Sequence, residues 1–421
     1  MKKTDEKFHF NATWSMAVGG MVGGGIFSVL GVVVHKAGQW AWLSFVIAGL
    51  IALISAHSYS QLSLKYRKSG GAFTFLNEVD HERLAGGLSW VLILGYVLTL
   101  SVYAFTFGHY VGYVLDWGPW FPRVLALGVI ALFAAINLRG VGDSSQVEIV
   151  TVWGKLIVLL GLAVLGLVLW KPSQLTAGID PRSWTDALTG AAIIFMAYEG
   201  FQLLSYDYED IDDPRRVLPR ATLTAVLAVI AIYVLVALGA TMLVGAGTLV
   251  EQEEVALAIA GRQAMGTAGL ILVTIAAAFS TGSAINATLF STARLMQSVA
   301  KKHDLPRFFA RENAAHIPHF AILSIAGTAT LLAAAGSLGT LVDAASLIFL
   351  ITFGTVNYLA YRQRIAYRYL CLLGTIGCLA AVVVSSIEQM QTAPGAFAVV
   401  LIFLFLSLLG SSLLLKRKDD R

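Results

Sequence analysis

Met21-Val22-Gly23-Gly24-Gly25-Ile26-Phe27 is the stretch that decides the fold. Three consecutive glycines stand in the middle of an apolar run reaching from residue 13 to residue 36. A run of that length can cross a bilayer, which takes about 20 apolar residues. Hydrocarbon offers backbone groups no partners, so a broken helix is tolerated there only where the freed N–H and C=O groups line a cavity. The stretch therefore predicts a first membrane helix broken at Gly23–Gly25, whose free backbone grips a small polar solute near the membrane midplane.

Composition extends that reading to the whole chain. Of 421 residues, 57% are hydrophobic and 13% charged, where a soluble domain carries about 25% charged residues. The mean hydropathy is +0.76. Twelve candidate spans follow, at 13–36, 40–62, 86–114, 121–138, 147–170, 185–207, 217–245, 265–297, 318–336, 340–361, 367–387 and 393–415. Short connections leave no room for a soluble domain. The expectation is one all-α polytopic domain over 1–421, with helices 1–5 in 13–170, helices 6–10 in 185–361 and helices 11–12 in 367–415. Residues 1–12 and 416–421 are its two cytoplasmic ends.

Orientation follows from charge. With the N-terminus inside and twelve crossings, 22 of the 29 Lys and Arg residues fall in cytoplasmic segments. Arg123, Lys171, Arg182 and Arg262 fall outside, and Lys36, Lys155 and Arg294 within spans. The positive-inside rule selects this arrangement, a multi-pass protein of the cell (inner) membrane with both termini cytoplasmic. The net charge of +4 belongs to loops between spans and so does not form a nucleic-acid surface. The first span is too long and too glycine-rich for a signal peptide and is read as retained. Cys371 and Cys378, seven apart on one helix, cannot pair. Ser69-Gly70-Gly71-Ala72-Phe73 reads as a turn into a short interfacial helix, and the acidic outer loop 246–264 as the seat of another.

A weak internal symmetry is visible. Span six carries a second polar interruption, Phe195-Met196-Ala197-Tyr198-Glu199-Gly200-Phe201. Spans one and six head two sets of five that run in opposite directions, and paired interrupted segments are the sequence pointer to a transporter site.

These residues resemble the amino acid–polyamine–organocation (APC) superfamily of secondary transporters. Gly23-Gly24-Gly25-Ile26-Phe27 is similar to its first-helix G-x-G-I-F signature. Ala197 to Phe201, then Glu209-Asp210-Ile211, Pro214 and Leu218-Pro219-Arg220-Ala221, resemble its sixth helix and following loop. Phe279-Ser280 through Thr288, then Lys302, Leu305-Pro306 and Phe308-Phe309, resemble its eighth helix and the loop beyond. The likeness runs from about Ser15 to about residue 362 and looks nearest to ApcT-type proton-coupled amino-acid transporters. It implies a 5+5 inverted repeat of the leucine-transporter type, with helices 1 and 6 broken and two extra C-terminal helices. Two departures stand out: Gln61 where many members are acidic, and Glu199 where neutral amino-acid carriers are often apolar.

The candidate site residues follow. Val22, Gly23, Gly24, Gly25 and Ile26 would meet a substrate carboxylate at a half-helix positive end; close helix packing is the other use of such glycines. The carbonyls of Phe195 and Ala197 would take the amine, with Tyr198, Phe201, Tyr103 and Phe107 either shaping an apolar lid or packing as ordinary helix aromatics. Glu199 either binds a substrate amine, or carries a proton, or satisfies the unwound backbone. Lys155 lies in span five at about the depth of Gly23, counted at ~1.5 Å per residue. An intramembrane lysine is costly and marks function. The resemblance implies that its ammonium takes the place of a sodium ion between helices 1 and 8, near Gly19, Val22, Ser280 and Ser283, and couples transport to protons; a fixed structural strut is the other reading. Asp207, Glu209 and Asp210 face Arg67 and Arg294 as a possible cytoplasmic gate, or as solvated charges of little energetic value.

Enzyme signatures are lacking: the chain has no HExxH, no GxSxG, no Walker A and no Cys/His cluster. No cofactor and no metal are expected. The expected function is proton-coupled import of an amino acid by alternating access, with the bilayer, the solute and protons as partners and no obligatory partner chain. A cationic amino-acid or polyamine carrier or exchanger, with Glu199 as counter-charge, is the nearer rival. An ion-conducting or sensory membrane protein on the same fold is the distant one.

Overall fold

The computed structural model describes residues 7–79, 82–140, 145–302 and 304–405. The tail 416–421, part of span 393–415 and residues 1–6 lie outside them. Among the described residues the chain is helical, with one isolated parallel bridge between Phe8 and Ile211. In order the helices are α1 Phe10–Ala37, α2 Ala41–Tyr66, α3 Gly71–Asn77, α4 Glu82–Leu115, α5 Phe121–Leu138, α6 Ser145–Val168, α7 Asp186–Ile193, α8 Pro214–Val244, α9 Ala246–Glu251, α10 Ala256–Lys301, α11 His319–Ala335, α12 Leu338–Arg362 and α13 Arg368–Thr392. A shorter apolar helix, α14, covers Pro394–Phe405.

Eight helical stretches among the described residues are long and apolar enough to cross a membrane. Two are composite: Phe10–Tyr66 holds α1 and α2, and Glu253–Lys301 holds α10 with the turn before it. The protein is thus a multi-pass, all-helical membrane protein. Each predicted span through 367–387 falls on a helical segment, but 185–207 and 318–336 fall on shorter ones outside these eight. Span six is short α7 followed by 3-10 turns, Phe195–Tyr198 and Phe201–Ser205. Span eight begins at the predicted place: α10 is two helices joined at a kink at Met265 and Gly266, where Gly266 has φ 62°. The predicted short helices are α3 and α9, and Cys371 and Cys378 are buried free thiols.

α1 sits at the centre. Its sequence is apolar on all sides, which marks a fully enclosed helix, and from Met21 to Val34 every residue is buried. It packs against α4, α6, α7, α8 and α10. The peripheral helices show lipid-facing stripes instead. On α6, Val150, Ile157, Val164 and Val168 are exposed at helical spacing while Val152, Lys155, Leu156 and Leu159 are buried. On α13, Leu373, Ile376, Leu379 and Val383 form a similar stripe. Exposed Trp117, Trp120, Trp170 and Trp184 gather at one end of the bundle, where indoles suit a membrane–water interface.

One expectation fails here. Helix one is not broken: Phe10–Ala37 is a continuous α-helix through Gly23, Gly24 and Gly25. The glycines serve closeness instead. A methyl on Gly23 would stand 2.8 Å from Cβ of Ala284, one on Gly24 would overlap the Tyr103 ring, and one on Gly25 would lie 2.9 Å from the Ala197 carbonyl oxygen. Three neighbouring elements come right up to the α1 backbone because no side chain holds them off.

Candidate transport site

The second interruption is real. α7 ends at Ile193, the chain makes a single 3-10 turn to Tyr198, and Glu199 is extended at φ −64°, ψ 138°. Gly200 then takes φ 136°, ψ −40°, a left-handed region that only glycine adopts easily. That turn lets backbone meet backbone: a methyl on Gly20 would lie 2.8 Å from the Gly200 Cα. The freed groups of the break find partners. The Met196 N–H donates to the Ser346 hydroxyl at 2.9 Å, and that hydroxyl donates to the Ile193 carbonyl. The Gly200 N–H donates to the Gln202 side chain at 2.8 Å. The Tyr233 hydroxyl lies 2.9 Å from the Ala197 carbonyl oxygen and 2.7 Å from that of Met21, tying the break to α1.

Glu199 is buried, 2% exposed, in a neutral polar chain. The Tyr103 hydroxyl donates to one carboxylate oxygen at 3.3 Å, and the Gln202 amide to the other at 2.8 Å. Gln202 also reaches the Tyr96 hydroxyl at 3.3 Å, which lies 3.4 Å from that of Tyr206. Tyr96 and Tyr103 are two helical turns apart on α4, so one face of α4 supplies both phenols. Tyr198 turns away, donating to the Phe45 carbonyl at 2.7 Å. Phe195 and Phe201 pack edge-on or tilted against Phe353, with ring centroids 5.6 and 5.2 Å apart.

On the far side of α1 stands Lys155, only 3% exposed. Its ammonium donates to the Gly19 carbonyl at 3.1 Å. The Ser280 hydroxyl, from α10, donates to the Val22 carbonyl at 2.7 Å. Ser283 bonds within its own helix, to the Ser280 carbonyl at 3.0 Å. The structure thus joins Lys155, Gly19 and Ser280 around one turn of α1. Gly19, which holds the lysine, precedes Gly20, which holds the helix-six break.

The residues read as a gate lie in the loop between the helix-six break and α8 and on the elements facing it. Arg67 ends α2 in a left-handed turn, φ 54°, and among the described residues no ion pair reaches it. Arg294 lies over the Phe290 ring at 4.2 Å and attracts Asp207. The Glu209 N–H donates to the Ser69 hydroxyl at 3.2 Å. The Asp210 carbonyl accepts the Phe8 N–H at 2.8 Å, the Asp212 N–H donates to the Phe8 carbonyl at 3.0 Å, and His9 meets Asp212 at 3.1 Å. The N-terminal segment also fastens this loop through Phe8 and His9.

Sequence reading missed Gln202, Tyr96, Tyr233 and Ser346. A polar residue three positions after a buried acid was a signal for Gln202. Nothing in the sequence marks Tyr233, whose partners are 36 and 212 residues away.

Continuous apolar helices, a central helix whose glycines bring three neighbours onto its backbone, and a broken helix with a buried carboxylate fit a membrane transporter. The sequence profile of the amino acid permease family matches residues 8–409, and the chain belongs to that family. It is 31% identical to the uncharacterised protein MJ0609 of Methanocaldococcus jannaschii, over 74% of this chain and 72% of that protein. It is 30% identical to the inner membrane transport protein YbaT of Escherichia coli, over 83% and 82%. The serine/threonine exchanger SteT of Bacillus subtilis is 27% identical over 69% and 67%. The protein is a transporter of the amino acid permease family, not an enzyme.

Proposed function

We propose that this protein imports an amino acid by proton-coupled symport, using alternating access on a twelve-span, 5+5 inverted-repeat framework with both termini cytoplasmic. The substrate site lies between the glycine face of α1 (Val22, Gly23, Gly24, Gly25, Ile26) and the helix-six break (Phe195, Ala197, Tyr198, Glu199, Phe201). Tyr103, seated on Gly24, is the side chain that swings to admit the solute. The backbone of the break, whose Ala197 carbonyl is held by Tyr233, receives the amine. Lys155 sets the coupling: protonated, its ammonium ties α6 to the Gly19 carbonyl; deprotonated, it loosens that tie. The observation that carries the reading is the buried Lys155–Gly19 contact one residue from the Gly20–Gly200 approach. Any change in the tie is felt at once where α1 meets the break.

Uptake of labelled neutral amino acids into proteoliposomes tests this, with and without an inward pH gradient. Gradient-driven accumulation in wild type and none in Lys155→Ala is expected. Unchanged pH-dependent uptake and proton movement in the variant would end the coupling role.

A second reading has a specific support. The Glu199 carboxylate, bonded only to the neutral donors Tyr103 and Gln202 among the contacts described, is suited to balance a cationic substrate. In that case lysine, ornithine or putrescine competes for uptake, and Glu199→Gln, which keeps the shape, abolishes that competition.

A further inference from the structure

Two consecutive glutamates near the outer end of the bundle each meet a histidine from a different helix. Glu253 and Glu254 lie in the 3-10 turn Glu253–Val255, between α9 and α10. Glu253 meets His35 of α1 at 3.1 Å, and Glu254 meets His109 of α4 at 3.3 Å. The turn sits directly on α1: a methyl on Gly31 would lie 2.8 Å from the Glu253 carbonyl carbon. α9 and this turn therefore form a lid across α1 and α4.

The two pairs differ in what they need. His35 approaches Glu253 through Nδ1 only, so a neutral imidazole carrying its hydrogen on Nδ1 makes the contact. His109 has acceptors at both nitrogens. Its Nδ1 lies 2.8 Å from the Phe105 carbonyl oxygen, and its Nε2 faces a Glu254 carboxylate oxygen. A neutral imidazole donates from one nitrogen and presents a lone pair at the other. With Nδ1 donating to Phe105, a lone pair on Nε2 would point at an anion. Only one added proton, on Nε2 or on the carboxylate, satisfies both contacts. The His109 ring is also fixed, stacked on Phe105 with centroids 3.9 Å apart and with its side chain 15% exposed.

We propose that His109 and Glu254 form a proton-binding site on the outer face, and that the proton held between them latches the lid. The proposal rests on the orientation given above. The other charged groups at this end of the elements packed on α4 are His35 and Lys36 on α1, Glu253 in the turn, Arg123 on α5, Arg262 on α10 and Asp343 on α12. Glu253 is engaged by His35, Lys36 by Glu388 at 2.8 Å, and Arg123 lies over the Trp120 ring. Closed, the two contacts together require one proton between Nε2 and the carboxylate; a pair parted into water has no such requirement. Closure is therefore favoured at low outside pH and lost as pH rises.

The test needs no substrate. Spin labels at Glu251→Cys on α9 and Trp117→Cys beyond α4, both exposed, report the lid distance in proteoliposomes by double electron–electron resonance. The expected result is a short-distance population at about pH 5 that is lost by about pH 9 in wild type, the span over which histidine and its partners titrate. Glu254→Gln offers an amide N–H to a neutral Nε2, so it keeps the short distance across the whole range. His109→Phe loses it throughout. A wild-type distance independent of pH, or an unaltered pH response in Glu254→Gln, overturns the latch. Setting the two sides of the membrane to different pH separates the readings: a response that follows the lid side supports the site, whatever the uptake assays give. A response that follows the other side overturns it.

Discussion

Gly24 faces the Tyr103 ring so closely that a methyl group would overlap it. Replacing an interior helical glycine by alanine ordinarily gains up to ~1 kcal/mol. Overpacking a filled contact costs ~1–3 kcal/mol, so the clash wins here. Gly24→Ala is expected to lower the unfolding temperature in detergent, and adding Tyr103→Ala in the same chain to recover part of the loss. An unchanged unfolding temperature in the single variant would mean that the ring does not rest on α1. The same residue shows why the sequence misled at this point. Glycine is both flexible and small, and the letters do not say which property is in use. Three glycines read as a break, but what stands opposite them, Tyr103, Ala284, Tyr233 and Ala197, makes them a packing surface. Those partners come from distant parts of the chain, so nothing local could have revealed them. Lys155 was legible because a charge in an apolar run stands out from its own neighbours.

At the level of the element, the helix-six break was legible for the same reason. Glu199-Gly200 interrupts an apolar segment, and the structure gives Gly200 a φ of 136°. Gly200→Ala meets two obstacles, a strained backbone worth ~1–3 kcal/mol and contact with Gly20 and the Met21 nitrogen. It is expected to abolish uptake and lower the unfolding temperature together. Tyr233→Phe is gentler. Removing the hydroxyl that bridges Met21 and Ala197 costs ~0.5–1.5 kcal/mol. Faster amide hydrogen exchange over residues 194–204 is expected, with the rest of the bundle unaffected; equal protection in both proteins would show that the bridge bears no strain. The kink of α10 at Met265–Gly266 falls where the sequence reading ends the outer loop at 264 and starts span eight at 265, and open space around Gly266 leaves its φ of 62° to the glycine itself.

Across the whole molecule, composition and loop charge foretold a polytopic helical protein, and eight long apolar stretches bear that out. The orientation is open to a direct check. A single cysteine at Glu251 is expected to react with a membrane-impermeant maleimide on intact cells, and one at Lys302 only after permeabilisation; the reverse pattern would invert the topology. One contact spans the chain's history as well as its space. Phe8 is bonded to the loop at Asp210–Asp212, and its bridge partner Ile211 follows it by 203 residues. At ~5–20 residues per second of synthesis, those residues take roughly 10–40 s to appear. During that interval the first helix is already emerging from the ribosome while the strap that will fasten its N-terminal end does not yet exist. Its insertion must therefore be decided by its own apolarity and the early lysines, and the strap closes only after the sixth segment has been threaded.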